Sequence, residues 1–180
     1  MNLPNRISIF RLLLVPAIVG SLLYYHPSRD WLRFVALGLF GVGMASDALD
    51  GYLARVHHQQ TQLGTLLDPL ADKCLILSTL ISCSIIRGLP DGVRIPAWFN
   101  LIVISRDALL VSGAIMLFFI RGHWSVRPSR LGKVTTVLQM LVIPTVLLGL
   151  PGKLPLLIAA AALTGLSAVS YVRAGIRALG

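Results

Sequence analysis

The sequence predicts an all-α integral membrane protein, a bundle of about six transmembrane helices with a short N-terminal interfacial segment, forming one membrane domain over residues 1–180. Three observations predict it. Of the 180 residues, 56% are hydrophobic and 13% charged, which is too apolar for an ordinary water-soluble domain. The apolar residues fall in stretches close to the ~20 that a bilayer-spanning helix needs. Each break between them carries Pro, Gly or charge, the residues that end helices.

Taken in order, Asn2-Leu3-Pro4-Asn5-Arg6 joins a Pro to polar and basic groups and is expected to lie at the membrane interface. The first span is 8–25, closed by His26-Pro27-Ser28. Arg6 and Arg11 ahead of an apolar run imitate a signal peptide, but no small-residue cleavage site follows and more spans come after, so a retained helix is expected. The second span, 31–55, ends at the polar run from His57 to Gln62, and the third, 64–87, at the break from Arg87 to Pro96. The fourth, 94–120, stops at the stretch from Arg121 to Ser129, and the fifth, 130–150, is divided from the sixth, 154–174, by the turn from Leu150 to Lys153. Cys74 and Cys83, nine apart, match neither a disulfide framework nor a zinc spacing and read as small core hydrophobes.

The net charge of +9, in a chain this apolar, points to anionic lipid headgroups and to the positive-inside rule; no nucleic-acid partner is expected. With a cytoplasmic N-terminus, the cytoplasmic segments hold nine basic residues, Arg6, Arg11, Arg55, Arg121, Arg127, Arg130, Lys133, Arg173 and Arg177. The outer loops hold five, Arg29, Arg33, Arg87, Arg94 and Lys153, and the excess favours that orientation.

All seven acids are Asp, and four of them, Asp47, Asp50, Asp68 and Asp72, sit within 26 residues that otherwise read as membrane helix. A mid-membrane Asp costs ~2.5 to 3.5 kcal/mol on insertion scales, so four demand a cation or a water-filled cavity. Asp47 and Asp50 are three apart and Asp68 and Asp72 four apart, which puts each pair on one helical face. The short connection from Val56 to Leu63 predicts that the second and third helices are antiparallel neighbours, with their acidic ends at one surface. Four converging carboxylates would repel one another and take up protons, whereas with one or two divalent cations they form the oxygen-rich site that Mg²⁺ or Mn²⁺ prefers. Gly51, Ala54 and Gly64 leave room for a ligand beside the acids, and Arg55 is placed to pair with a phosphate. Taken singly, each small residue is also what helix contacts in membranes use.

Read in order, the segment is Asp47-x2-Asp50-Gly51-x2-Ala54-Arg55-x8-Gly64-x3-Asp68-x3-Asp72, and here the chain resembles the CDP-alcohol phosphotransferase (phosphatidyltransferase) family. Every position of that family's signature is matched. The resemblance implies two Mg²⁺ or Mn²⁺ ions held by Asp47, Asp50, Asp68 and Asp72, with the CDP moiety of CDP-diacylglycerol over Asp47, Gly51, Ala54, Arg55 and Gly64. It also implies Asp72 as general base toward the acceptor hydroxyl, with a purely metal-binding role for Asp72 as the alternative.

Arg106, Arg130 and Lys133 are candidates for an acceptor-phosphate pocket, although Arg106 would equally pair with a buried aspartate. A phosphate-bearing acceptor points to glycerol 3-phosphate, and the length and opening residues look like the phosphatidylglycerol phosphate synthases of the family. The stretches Ile104 to Asp107 and Pro128 to Thr136 also look like its cardiolipin synthases, which use phosphatidylglycerol. Outside this class, a divalent-cation transporter would also carry intramembrane carboxylates, but the acids cluster toward one surface and no inverted repeat is visible. A noncatalytic scaffold is the third reading, and it predicts that loss of the acids is tolerated. His57 and His58 read as solvated loop residues. The resemblance further suggests a homodimer in a bacterial inner membrane with the active site facing the cytoplasm.

Overall fold

The computed structural model describes residues 3–57, 62–121 and 130–179, and side chains at 7–47, 68–116, 119–120 and 131–176. Six helices and no strands occur among them: α1 (Leu3–Leu23), α2 (Trp31–His57), α3 (Gln62–Ile85), α4 (Ala97–Arg121), α5 (Arg130–Leu147) and α6 (Lys153–Leu179). Each predicted span corresponds to one helix, with ends displaced by a few residues. Residues Leu3 to Arg6 are helical and continuous with the first apolar run, so the opening segment forms the first turns of α1. Single 3₁₀ turns, Pro27–Arg29 and Asp91–Val93, occupy the breaks before α2 and α4.

Two segments among the described residues, Asp91–Met116 and Lys153–Ile176, are long and apolar enough to cross a membrane by composition alone. Asp68, Asp72 and Lys73 dilute the described part of α3. Large side chains nevertheless cover the outward faces, with Leu13, Leu101 and Ile176 all about two-thirds exposed at 66%, 68% and 66%. Apolar residues thus lie outside as well as inside, the surface of a membrane protein rather than of a soluble one.

The chain forms two compact units, Met1–Ile95 with Val146–Gly149, and Pro96–Thr145 with Leu150–Gly180. In the first, α1 packs along both α2 and α3, while among the described residues α2 and α3 touch each other far less. The expected neighbours α2 and α3 do bring Asp47, Asp68 and Asp72 to one place, and α1 joins them as a third partner that packs along both. Ser8, Arg11, Leu14, Ile18 and Leu22 recur every three or four residues and form its buried face. Ala36 and Phe40 of α2 and Ala71, Leu75, Ile76 and Leu80 of α3 complete the core. Gly43 is the point of closest approach: a Cβ there would meet Leu75 Cδ2 at 2.8 Å and Leu14 Cδ1 at 3.5 Å. Cys83 is buried as expected; Cys74 is exposed, because it projects from the opposite side of α3.

In the second unit α4 packs on α6. Phe99, Val103, Arg106 and Asp107 of α4 and Leu157, Ala160, Thr164 and Ser167 of α6 are buried. Polar groups in these cores bond locally or across helices, as low-dielectric surroundings demand. Thr164 Oγ1 donates to Ala160 O at 2.6 Å and accepts from Gln139 Nε2 at 3.3 Å, and Tyr171 Oη donates to Leu110 O at 3.1 Å. Helix α5 ends in a Schellman turn: Gly149 at φ 66° donates to Val146 O at 2.9 Å, and Leu150 donates to Thr145 O at 3.0 Å.

Candidate active site

Helix periodicity brings the site together in the first unit. Asp68 and Asp72, four apart on α3, share a face, and Ser8 and Arg11, three apart on α1, share another. Asp47 lies on α2 one turn beyond Gly43, where the close approach of helices sets its height. The result is a cluster around one guanidinium. Arg11 Nη1 donates to Asp47 Oδ1 at 2.9 Å and to Asp72 Oδ1, and Arg11 Nη2 lies 3.4 Å from Asp68 Oδ1. Ser8 Oγ also donates to Asp68 Oδ1.

Burial is graded across the cluster. Arg11 is fully buried, whereas the side chains of Asp72, Asp68 and Asp47 are 21%, 35% and 39% exposed. The cation is thus at the floor and the carboxylates at the rim, where a polar ligand reaches them. Three carboxylates carry more negative charge than one guanidinium offsets, so the rim attracts further positive charge. Its donors are all carboxylate oxygens, the hard ligands that suit Mg²⁺ or Mn²⁺, and in that respect the residues fit the implied metal. Among the described residues no group of three or more His, Cys, Asp or Glu side chains is arranged to hold a metal ion, and Arg11 sits at the focus of the three described aspartates.

Of the predicted residues, Asp47, Asp68 and Asp72 are brought together. Asp50, Gly51, Ala54 and Arg55 belong to the last turns of α2 and Gly64 to the start of α3, but their side chains lie outside the described residues. Matching residues 1–171 to the sequence model of CDP-alcohol phosphatidyltransferases decides the lineage. The chain belongs to the CDP-alcohol phosphatidyltransferase family. It is 38% identical over 150 residues to a putative cardiolipin synthase of Mycobacterium tuberculosis, an alignment covering 83% of this chain and 66% of that one. Identity is 32% over 149 residues to a CDP-diacylglycerol--glycerol-3-phosphate 3-phosphatidyltransferase of Cereibacter sphaeroides, covering 82% and 64%. It is 31% over 187 residues to a probable phosphatidylglycerophosphate synthase of Mycobacterium tuberculosis, covering 99% and 84%. The chain thus spans just under two thirds of the length of the first two relatives and most of the third.

The second basic group is arranged differently. Arg106, 6% exposed, gives Nη1 to Asp107 Oδ1 at 2.8 Å and Nη2 to Ser167 Oγ at 3.1 Å, and among the described residues its Nε has no hydrogen-bond partner. Lys133 is exposed on α5, and the side chain of Arg130, the first residue of that helix, lies outside the described residues.

Sequence reasoning missed Arg11 and Ser8. Arg11 counts among the cytoplasmic charges when the chain is read by the positive-inside rule, yet it is ion-paired to three aspartates inside the unit. A usable signal was present: Arg11 follows Ile7-Ser8-Ile9-Phe10 and precedes Leu12-Leu13-Leu14, well inside an apolar run, and such a cation needs a partner.

Proposed function

We propose that this chain is a CDP-diacylglycerol-dependent phosphatidyltransferase that transfers the phosphatidyl group to glycerol 3-phosphate, giving phosphatidylglycerol phosphate and CMP. The convergence of Asp47, Asp68 and Asp72 in a chain of this family is the observation that carries the reading. Glycerol 3-phosphate is preferred because the match to the phosphatidylglycerophosphate synthase runs along 99% of this chain and 84% of the relative. Cardiolipin synthesis from phosphatidylglycerol is the second reading, favoured by the higher identity, 38%, to the mycobacterial cardiolipin synthase.

In this reading Asp47, Asp50, Asp68 and Asp72 hold two Mg²⁺ or Mn²⁺ ions. When bound, these supply charge neutralisation at the pyrophosphate and at the departing CMP. Gly51, Ala54 and Gly64 leave the nucleotide room to lie close to the helices, and Arg55 pairs with its phosphate. Asp72, the least exposed of the three described carboxylates, takes the proton of the acceptor hydroxyl. The acceptor oxygen bonds to the β-phosphorus, the bond from that phosphorus to the bridging oxygen breaks, and CMP leaves with the electron pair. Arg106, Arg130 and Lys133 orient the phosphate of the acceptor. The setting is a single membrane domain of six spans opening on an interfacial segment, in a homodimer, in a bacterial inner membrane with the site facing the cytoplasm.

The test is CMP release from CDP-diacylglycerol by the purified full chain in mixed micelles with Mg²⁺. Glycerol 3-phosphate and phosphatidylglycerol are offered separately, with Asp72→Asn as control. Turnover with glycerol 3-phosphate that the control lacks is the expected result. Turnover with phosphatidylglycerol alone moves the assignment to cardiolipin synthesis, and none with either alcohol overturns the reading.

A further inference from the structure

We infer that Arg11 is a stand-in cation: it gathers the carboxylates of Asp47, Asp68 and Asp72 onto one spot and competes with divalent cations for their oxygens. The inference rests on the reading above that these aspartates bind metal. Its own basis is the geometry of α1. One fully buried guanidinium reaches two helices at once, touching Asp47 on α2 and both Asp68 and Asp72 on α3. Among the described residues α2 and α3 make little contact with each other, whereas α1 packs along both, and Arg11 is a charged link between their acidic positions. Ser8, one turn earlier and 2% exposed, holds the Asp68 oxygen that Arg11 Nη2 approaches, so α1 supplies a matched pair of donors.

Two consequences follow from the contact pattern. Arg11 engages one Oδ1 of each aspartate, the same kind of atom a metal ion would take, so the guanidinium and a divalent cation share ligands and repel each other across a few ångströms. The guanidinium also screens the carboxylates from one another, so their mutual repulsion is held in check before any cation arrives. Arg11 is therefore a positioning residue, acting through the aspartates. Its removal must destabilise the protein most where divalent cations are scarce and must leave cations more tightly bound.

The experiment follows thermal unfolding of the full chain in detergent micelles, in EDTA and in saturating Mg²⁺, with Mn²⁺ affinity read by electron paramagnetic resonance. For wild type the two unfolding temperatures differ modestly. For Arg11→Gln the temperature in EDTA falls and the shift induced by Mg²⁺ becomes larger than in wild type, whereas Arg11→Lys, which keeps the charge, stays near wild type. Should Arg11→Gln not fold, the comparison passes to Asp68→Asn and Arg11→Gln/Asp68→Asn, which have the same carboxylates with and without the guanidinium. The double variant is expected to bind Mn²⁺ at least about tenfold more tightly than the single. An unchanged or smaller Mg²⁺ shift in Arg11→Gln, or equal or weaker Mn²⁺ binding in the double variant, overturns the inference while leaving the metal reading intact. A wild-type protein that neither binds Mn²⁺ nor responds to Mg²⁺ removes the metal reading and this inference with it.

Discussion

Replacing Asp107 by Asn should cost far more stability than replacing Arg106 and Asp107 together. Arg106 and Asp107 have side chains only 6% and 12% exposed, and their contact is 2.8 Å. Breaking a buried pair by removing one partner typically costs ~3 to 5 kcal/mol, because the remaining charge is left in a poor dielectric. Asn retains an oxygen that accepts from Arg106, and Ser167 Oγ remains 3.1 Å from Nη2, so the lower end applies, ~3 kcal/mol. For a chain of this size each kcal/mol moves the midpoint by ~2 to 4 °C, which gives a fall of ~6 to 12 °C for Asp107→Asn. Arg106→Met/Asp107→Leu removes both charges and keeps the volume, and should stay within ~1 kcal/mol of wild type. Thermal unfolding in micelles measures both. An Asn variant that unfolds at the wild-type temperature, or a double variant as unstable as the Asn variant, refutes the reasoning. The double variant also probes the acceptor pocket: a raised KM for glycerol 3-phosphate at unchanged stability places Arg106 on the acceptor phosphate, and an unchanged KM confines it to its pair with Asp107.

Chelation by EDTA should abolish CMP release, with Mg²⁺ or Mn²⁺ restoring it on back-titration. Ser8→Ala removes the donor to Asp68 and should lower stability by ~1 to 2 kcal/mol, read by thermal unfolding. At Gly113 a Cβ would lie 2.8 Å from Cε1 of the Tyr171 ring, which cannot yield as an aliphatic tip can. Gly113→Ala should therefore cost ~1 to 3 kcal/mol from overpacking, partly offset by ~1 kcal/mol of helix propensity, and Tyr171→Leu in the same chain should relieve it. Gly43→Ala meets the flexible tip of Leu75 instead and should be close to neutral, whereas Gly43→Phe should displace Asp47 and abolish turnover.

The helices were legible because their signals are local. The second apolar stretch, 31–55, is recovered as Trp31–His57, and the fifth, 130–150, ends where Gly149 and Pro151 dictate. The aspartates were legible for the same reason, since spacings of three and four residues declare a common face without knowledge of the fold. What escaped is the contact between distant parts of the chain. Arg11 is separated from Asp47, Asp68 and Asp72 by 36, 57 and 61 positions, and no local periodicity encodes those pairings. A rule that sorts basic residues by side of the membrane counts Arg11 among the cytoplasmic charges and does not show that it is buried within the bundle. The short connection showed that α2 and α3 are near at one end, but nothing local showed that α1 packs along both.

Each unit encloses a basic side chain in an apolar core, and the two are balanced differently. Arg106 meets one carboxylate, from the adjacent residue on its own helix, and a neutral hydroxyl from α6. The charges of Arg106 and Asp107 offset one another, and the pair is almost fully covered. Among the described residues Arg11 meets three carboxylates from two other helices, all at least a fifth exposed at 21%, 35% and 39%. The surplus there is negative and faces outward, which stability alone would select against, because like charges gathered in a low dielectric weaken the fold. A helix bundle held together only for packing would bury one aspartate opposite Arg11, as the second unit does opposite Arg106. Two further carboxylates at the same point are accounted for in the proposed reaction, where the surplus binds positive charge, and this imbalance at Arg11, rather than the mere presence of buried charge, supports placing the proposed site there.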